Sequence, residues 1–135
     1  VLASLPYALG VTGVIFGKHI DKIDMDRAKR IYTLPVLLGE PLSRWTVVGM
    51  LVAQYLSVIY LVTTGFFSPI LLVVLFALPA FLRVLAIFRF PKPQEKPRDF
   101  PEVWPNYFVA AAFFHNRRFG LFYLAGLILG LIVRL

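Results

Sequence analysis

The chain has 135 residues, 59% of them hydrophobic and 16% aromatic, with a net charge of +7. Soluble domains average roughly 45–50% apolar residues even with glycine counted, so this composition excludes a disordered chain and points to one integral membrane domain. Cysteine is absent, which excludes disulfides, a catalytic thiol, thiolate zinc sites and iron–sulfur clusters. The basic residues sit between long apolar runs, a membrane-topology pattern rather than a nucleic-acid-binding one.

Residues 1–17 carry no charge and form a first short helix. They lack the flanks of a signal peptide, and the chain reads as the C-terminal part of a longer protein. Gly10, Gly13 and Gly17 fall near one side of this helix, a spacing that lets membrane helices approach closely. A polar motif loop follows over residues 18–44. Residues 45–82 are then free of charge for 38 positions, twice what one crossing needs. Gly65, Ser68 and Pro69 interrupt that run, so it splits into helices over 45–64 and 68–88. Gln54, Tyr55 and Ser57, with Ser4, are expected to make hydrogen bonds between helices. Arg83 either extends to the interface or faces a polar cavity.

Residues 91–105 are a proline-rich polar loop. The next apolar stretch is cut by Arg117 and Arg118, so it reads as an interfacial helix over 104–116 and a last crossing over 119–134. The expected fold is thus an all-α polytopic transmembrane bundle of about four crossings plus the interfacial helix. The 18–44 loop holds six Lys/Arg, the 83–102 stretch five and the Gly65–Pro69 turn none. Basic loops stay in the cytoplasm, which puts the motif loop there and the C-terminus outside, in an inner or plasma membrane.

Chemistry concentrates in the motif loop. Asp21, Asp24 and Asp26 lie within six residues, interleaved with Lys18, Lys22, Arg27, Lys29 and Arg30. Oxygen ligands suit Mg²⁺, which takes one or two carboxylates plus substrate phosphates, and the cations suit phosphate oxygens. On a straight helix Asp21 and Asp24 share a face while Asp26 points toward Lys22 and Arg30. The loop therefore reads either as a site for a metal-bridged diphosphate or as a solvated, charged surface. A second constellation is Phe114-His115-Asn116-Arg117-Arg118. His115 is either an acceptor-side base, with Arg117 or Arg118 binding an anion, or an interfacial polar residue beside headgroup anchors.

The run from Asp26 and Arg27 through Thr33-Leu34-Pro35-Val36-Leu37-Leu38-Gly39 resembles the second aspartate-rich region of the UbiA-type membrane prenyltransferases. The resemblance implies a bundle of nine transmembrane helices, of which this chain is the last four. It also implies Mg²⁺ as cofactor and a prenyl diphosphate donor whose chain passes to a lipophilic acceptor. Asp21, Asp24 and Asp26 become metal ligands with catalytic roles, Lys18, Lys22 and Arg30 contact the diphosphate, and His115 and Arg117 lie on the acceptor side. Asp26 matches the last aspartate of the family's D-x-x-x-D, but Lys22 stands where the first belongs; either Asp21 substitutes or Lys22 binds the diphosphate directly. The family's first motif, of N-x-x-x-D type, is expected in missing N-terminal helices or in a partner chain. A CDP-alcohol phosphotransferase would carry a D-G-x-x-A-R run, which this sequence lacks. The alternative is a non-catalytic integral membrane protein with a structural, assembly or transport role.

Overall fold

The computed structural model describes residues 1–133 and, among them, contains helices and no strands. A short 3₁₀ turn over Leu2–Ser4 leads into α1 (Leu5–Ile20), followed by α2 (Ile23–Ala28), α3 (Leu34–Leu38) and α4 (Glu40–Thr63). A 3₁₀ segment over Pro69–Ala77 runs on into α5 (Leu78–Phe88), and α6 (Tyr107–Val133) closes the chain. Three helical stretches are long and apolar enough to cross a membrane: Glu40–Thr63, Pro69–Phe88 and Tyr107–Val133. Each is less than half buried within the chain, so most of their apolar surface faces outward, as in a lipid-embedded bundle.

The punctuation of the chain follows backbone chemistry. The Leu34–Leu38 turn has Pro35 in its first positions, where no N–H is needed. Gly39 then takes φ +77°, a left-handed corner that only glycine adopts without strain, and α4 starts at the next residue. Gly65 does the same at φ +74° after α4, and Ser68 Oγ accepts the Ile70 N–H at the start of the next segment. Pro79 lies in the first turn of α5, where the winding changes from 3₁₀ to α; its ring has no N–H to give to the preceding turn.

The bundle is centred on α1, α4 and α6. One apolar cluster near the motif loop joins Ile20, Val47, Leu51, Val84, Phe88, Phe108 and Ala112. The other, toward the far end, joins Tyr55, Val58, Leu71, Val74, Phe119 and Tyr123. In a bilayer, whose tails are as apolar as these side chains, helices are held by close packing rather than by escape from water. Glycine makes the closest approaches. A Cβ on Gly17 would stand 3.1 Å from the backbone of Phe108 and Val109, and one on Gly126 would stand 2.9 Å from Leu71 Cδ1. The glycine face of α1 is thus its packing face, with Gly10, Gly13 and Gly17 all buried.

Several expected boundaries differ. The helix expected over 1–17 extends to Ile20, and the 18–44 loop is not irregular, since it contains α2, α3 and the first turn of α4. The separate segments 104–116 and 119–134 are one continuous helix from Tyr107 to Val133, and residue 134 lies outside the described residues, as does the C-terminus expected outside the membrane. Arg117 and Arg118 do not interrupt it. Arginine is a good helix former, and nothing between Asn116 and Gly120 removes a backbone donor. Of the four expected interhelical hydrogen-bond partners, Ser4 and Ser57 bond to nearby carbonyls of their own segment, and only Tyr55 reaches another helix.

Candidate functional site at the helix ends

Helix ends leave backbone donors and acceptors without intrahelical partners, and at the motif-loop end of this bundle charged side chains supply them. Asp21 follows α1 and reaches across to the start of α6. Its Oδ1 accepts the Phe108 N–H at 3.1 Å and its Oδ2 accepts the Val109 N–H at 3.0 Å. The close approach at Gly17 brings that helix start within reach. A carboxylate there also meets the positive end of the α6 dipole. Lys92 Nζ lies 3.3 Å from Asp21 Oδ1, donates to the Pro105 carbonyl, and sits 5.2 Å from the centroid of the Trp104 ring.

The network continues to the other helices. Glu40 Oε1 accepts the Lys92 backbone N–H at 3.4 Å and lies 3.5 Å from Arg44 Nε. Buried Arg44 donates from Nη1 to the Phe88 carbonyl at 3.3 Å, a cation on the negative end of α5. Asp21, Lys92, Glu40 and Arg44 thereby tie together the ends of α1, α4, α5 and α6 and the proline-rich loop.

Beside this network is a cleft of about 630 Å³ lined by Asp21, Lys22, Asp24, Arg27, Glu40 and Lys92, with Ile20, Met25 and Phe108 as apolar wall. The three aspartates occupy different environments. The Asp21 side chain is only 3% exposed and has all its bonds described above. Asp24 is fully exposed, with Arg27 Nη1 at 4.0 Å. Asp26 is buried and pairs through Oδ2 with His19 Nδ1 at 3.2 Å. Among the described residues no three His, Asp or Glu side chains converge on one point, so the three carboxylates are not a preassembled ligand set. Lys22 is on the cleft; Lys18 and Arg30 are exposed on the same segment but do not line it. Arg30 turns the chain after α2 with φ +56°.

His115 and Arg117 are apart from this end and from each other. His115 is fully buried in α6, and Tyr55 Oη lies 2.9 Å from its Nε2. Arg117, about 200° further round the helix, lines a groove of about 570 Å³ with Tyr7, Phe113, Gly120 and Leu124. Next to His115, Asn116 and Gln54 both reach Gly10, where a Cβ would stand 2.1 Å from Asn116 Oδ1 and 2.6 Å from Gln54 Nε2. Both polar atoms of the Gln54 amide and the Asn116 oxygen are buried without partners.

Lys92, Glu40 and Arg44 are the site residues that sequence reasoning missed. Glu40 and Arg44 carry a readable signal, an acid four residues before a base at a helix start. Lys92 carries none, because its partners are distant in sequence. This chain matches no protein-family model, no curated protein and no solved structure.

Proposed function

We propose that this chain is the diphosphate-facing part of a UbiA-type membrane prenyltransferase, which moves an isoprenoid chain from a prenyl diphosphate to a lipophilic acceptor with Mg²⁺. The observation that carries this reading is the cleft at the helix ends, where the open carboxylate of Asp24 stands among Lys22, Arg27 and Lys92. Magnesium that shares its coordination with a diphosphate needs only one or two protein carboxylates. Asp24 fits that requirement and would hold the ion; Asp21, on the same cleft with both oxygens engaged, holds Lys92 beside it. Bound there, the metal would neutralise charge on the diphosphate. The chain's own cations do the rest. Lys22, Arg27 and Lys92 bind the diphosphate oxygens and favour the charge that develops as the group leaves. Lys18 and Arg30 add to the positive field that draws the donor in. Asp26, held by His19, fixes the α2 turn that presents Asp24.

In this reading the basic motif end lies in the cytoplasm, in an inner or plasma membrane. The first aspartate motif is contributed by residues other than these 135. The test is Mg²⁺-dependent diphosphate release from a prenyl diphosphate by the intact protein in lipid. Asp24→Asn is expected to lower the rate at least about 100-fold with an unchanged melting temperature, and Asp26→Ala to lower it as well. Normal turnover in either variant overturns the assignment.

A second reading, a non-catalytic membrane protein, is favoured by one observation. Asp21 caps a helix and Asp26 pairs with His19, so two of the three aspartates have structural partners. It predicts no diphosphate release by the intact protein at any Mg²⁺ concentration.

A further inference from the structure

A separate cleft of about 400 Å³ lies between α5, α6 and the Asp99–Pro101 part of the proline-rich loop. Ala80, Val84, Ala110 and Phe114 make its apolar wall, and Arg83 and Arg118 line it from opposite helices. Both arginines belong to stretches long and apolar enough to cross a membrane. Among the described residues neither has a carboxylate within 4.0 Å; Asp99, the acid on the cleft, stays beyond that distance. An arginine in such a helix is costly when nothing compensates it, the more so toward the helix centre. Two on one cleft call for a shared counter-charge.

The floor gives a second, independent indication. His115 lines the cleft, is fully buried, and has no partner for Nδ1, while Nε2 faces the Tyr55 hydroxyl. When that hydroxyl donates to Nε2, the neutral ring carries its proton on Nδ1 and offers it as a donor. Two guanidiniums against an apolar wall, beside a buried imidazole with one unpartnered nitrogen, match an oxyanion that carries a hydrocarbon chain.

We propose that this cleft binds the phosphodiester headgroup of an anionic membrane lipid, with Arg83 and Arg118 on the phosphate oxygens and the acyl chain along Ala80, Val84 and Phe114. The site is independent of the diphosphate cleft, which lies at the helix ends and shares no lining residue with it. Its location on two apolar spans selects a lipid over a soluble anion, because the chain is already beside the wall that receives it.

The test uses the intact protein in nanodiscs of phosphatidylcholine alone or of equimolar phosphatidylcholine and phosphatidylglycerol. Melting temperature and lipid retained in native mass spectra are read for each variant against its own phosphatidylcholine baseline. Phosphatidylglycerol is expected to raise the melting temperature and to be retained. Arg83→Gln and Arg118→Gln should each weaken retention about tenfold, the loss of one charge-assisted contact. Arg117→Gln, on the other groove, should leave it intact. Equal retention in all three variants overturns the site in favour of general surface charge, and no retention by the unsubstituted protein overturns it outright. If millimolar inorganic phosphate in phosphatidylcholine nanodiscs gives the same arginine-dependent shift, the ligand is a soluble anion and the lipid assignment fails.

Discussion

The polar residues at the motif end and those in the middle of the bundle meet very different fates. At the helix ends, Asp21 and Arg44 bond to backbone groups that the helices leave free. Midway along α4 and α6, the backbone N–H groups are used within their helices, and a short hydroxyl such as Ser57 reaches a carbonyl of its own helix. Among the described residues the longer Gln54 amide finds no partner and His115 finds only Tyr55. The first set finds partners on four elements and leaves one buried atom, Arg44 Nε at 3.5 Å from Glu40, without a hydrogen bond; the second leaves four atoms of three side chains, Gln54, His115 and Asn116, without any. A long polar or charged side chain in this bundle is thus satisfied at the helix ends and stranded in the middle, where only a short hydroxyl finds a carbonyl of its own helix.

That contrast can be broken by substitution. The largest effect belongs to Asp21→Ala, which strips two N–H partners from α6 and the counter-charge from Lys92. We expect a loss of about 2–3 kcal/mol in detergent unfolding. Asp21→Asn keeps an oxygen for the cap and should recover more than half of that; if it recovers nothing, the carboxylate's charge rather than its capping holds the helix. Arg44→Ala should cost about 1–2 kcal/mol by freeing the Phe88 carbonyl and Glu40. In the middle of the bundle the sign reverses. Gln54→Leu removes two orphaned atoms at similar volume and should be neutral or stabilising by up to about 1 kcal/mol. A clear loss of stability would mean that the amide is satisfied after all.

The smallest effect is in the proline-rich loop. Hydrogen bonding from Lys96, reinforced by its charge, holds the Glu102 carboxyl below its ordinary range. A depressed carboxyl contributes order that is present above the unfolded-state value and lost as pH falls through the folded one. Hydrogen-exchange protection in residues 91–105, taken relative to the intrinsic rate at each pH, should therefore fall slightly in acid, and Glu102→Gln should remove that dependence while leaving the rest of the bundle unchanged.

The all-α class was legible because helix-forming apolar runs and glycine or proline corners are local properties. Gly65, Ser68 and Pro69 mark a turn in any context. The continuity of α6 was not legible. Arg117 and Arg118 change the polarity of the sequence without removing a donor, and charge was read as a boundary where only backbone chemistry makes one. The clustering of Asp21, Asp24 and Asp26 was visible, but their separate surroundings were not. The partners of Asp21 come 87 and 88 residues later, at the start of α6, and no local pattern announces them. Arg83 and Arg118 likewise share a cleft only because α5 and α6 run side by side.

The 3₁₀ winding of Pro69–Ala77 also bears on reach. A 3₁₀ helix rises about 2.0 Å per residue against about 1.5 Å in an α-helix. Nine residues wound this way lengthen the Pro69–Phe88 stretch by about 4–5 Å over an all-α path. Its 20 residues then extend to within a few Å of the about 36 Å covered by the 24 of α4. Two neighbouring rods of unequal residue count are brought to nearly equal length, so both can match one hydrocarbon thickness without either tilting away from the other.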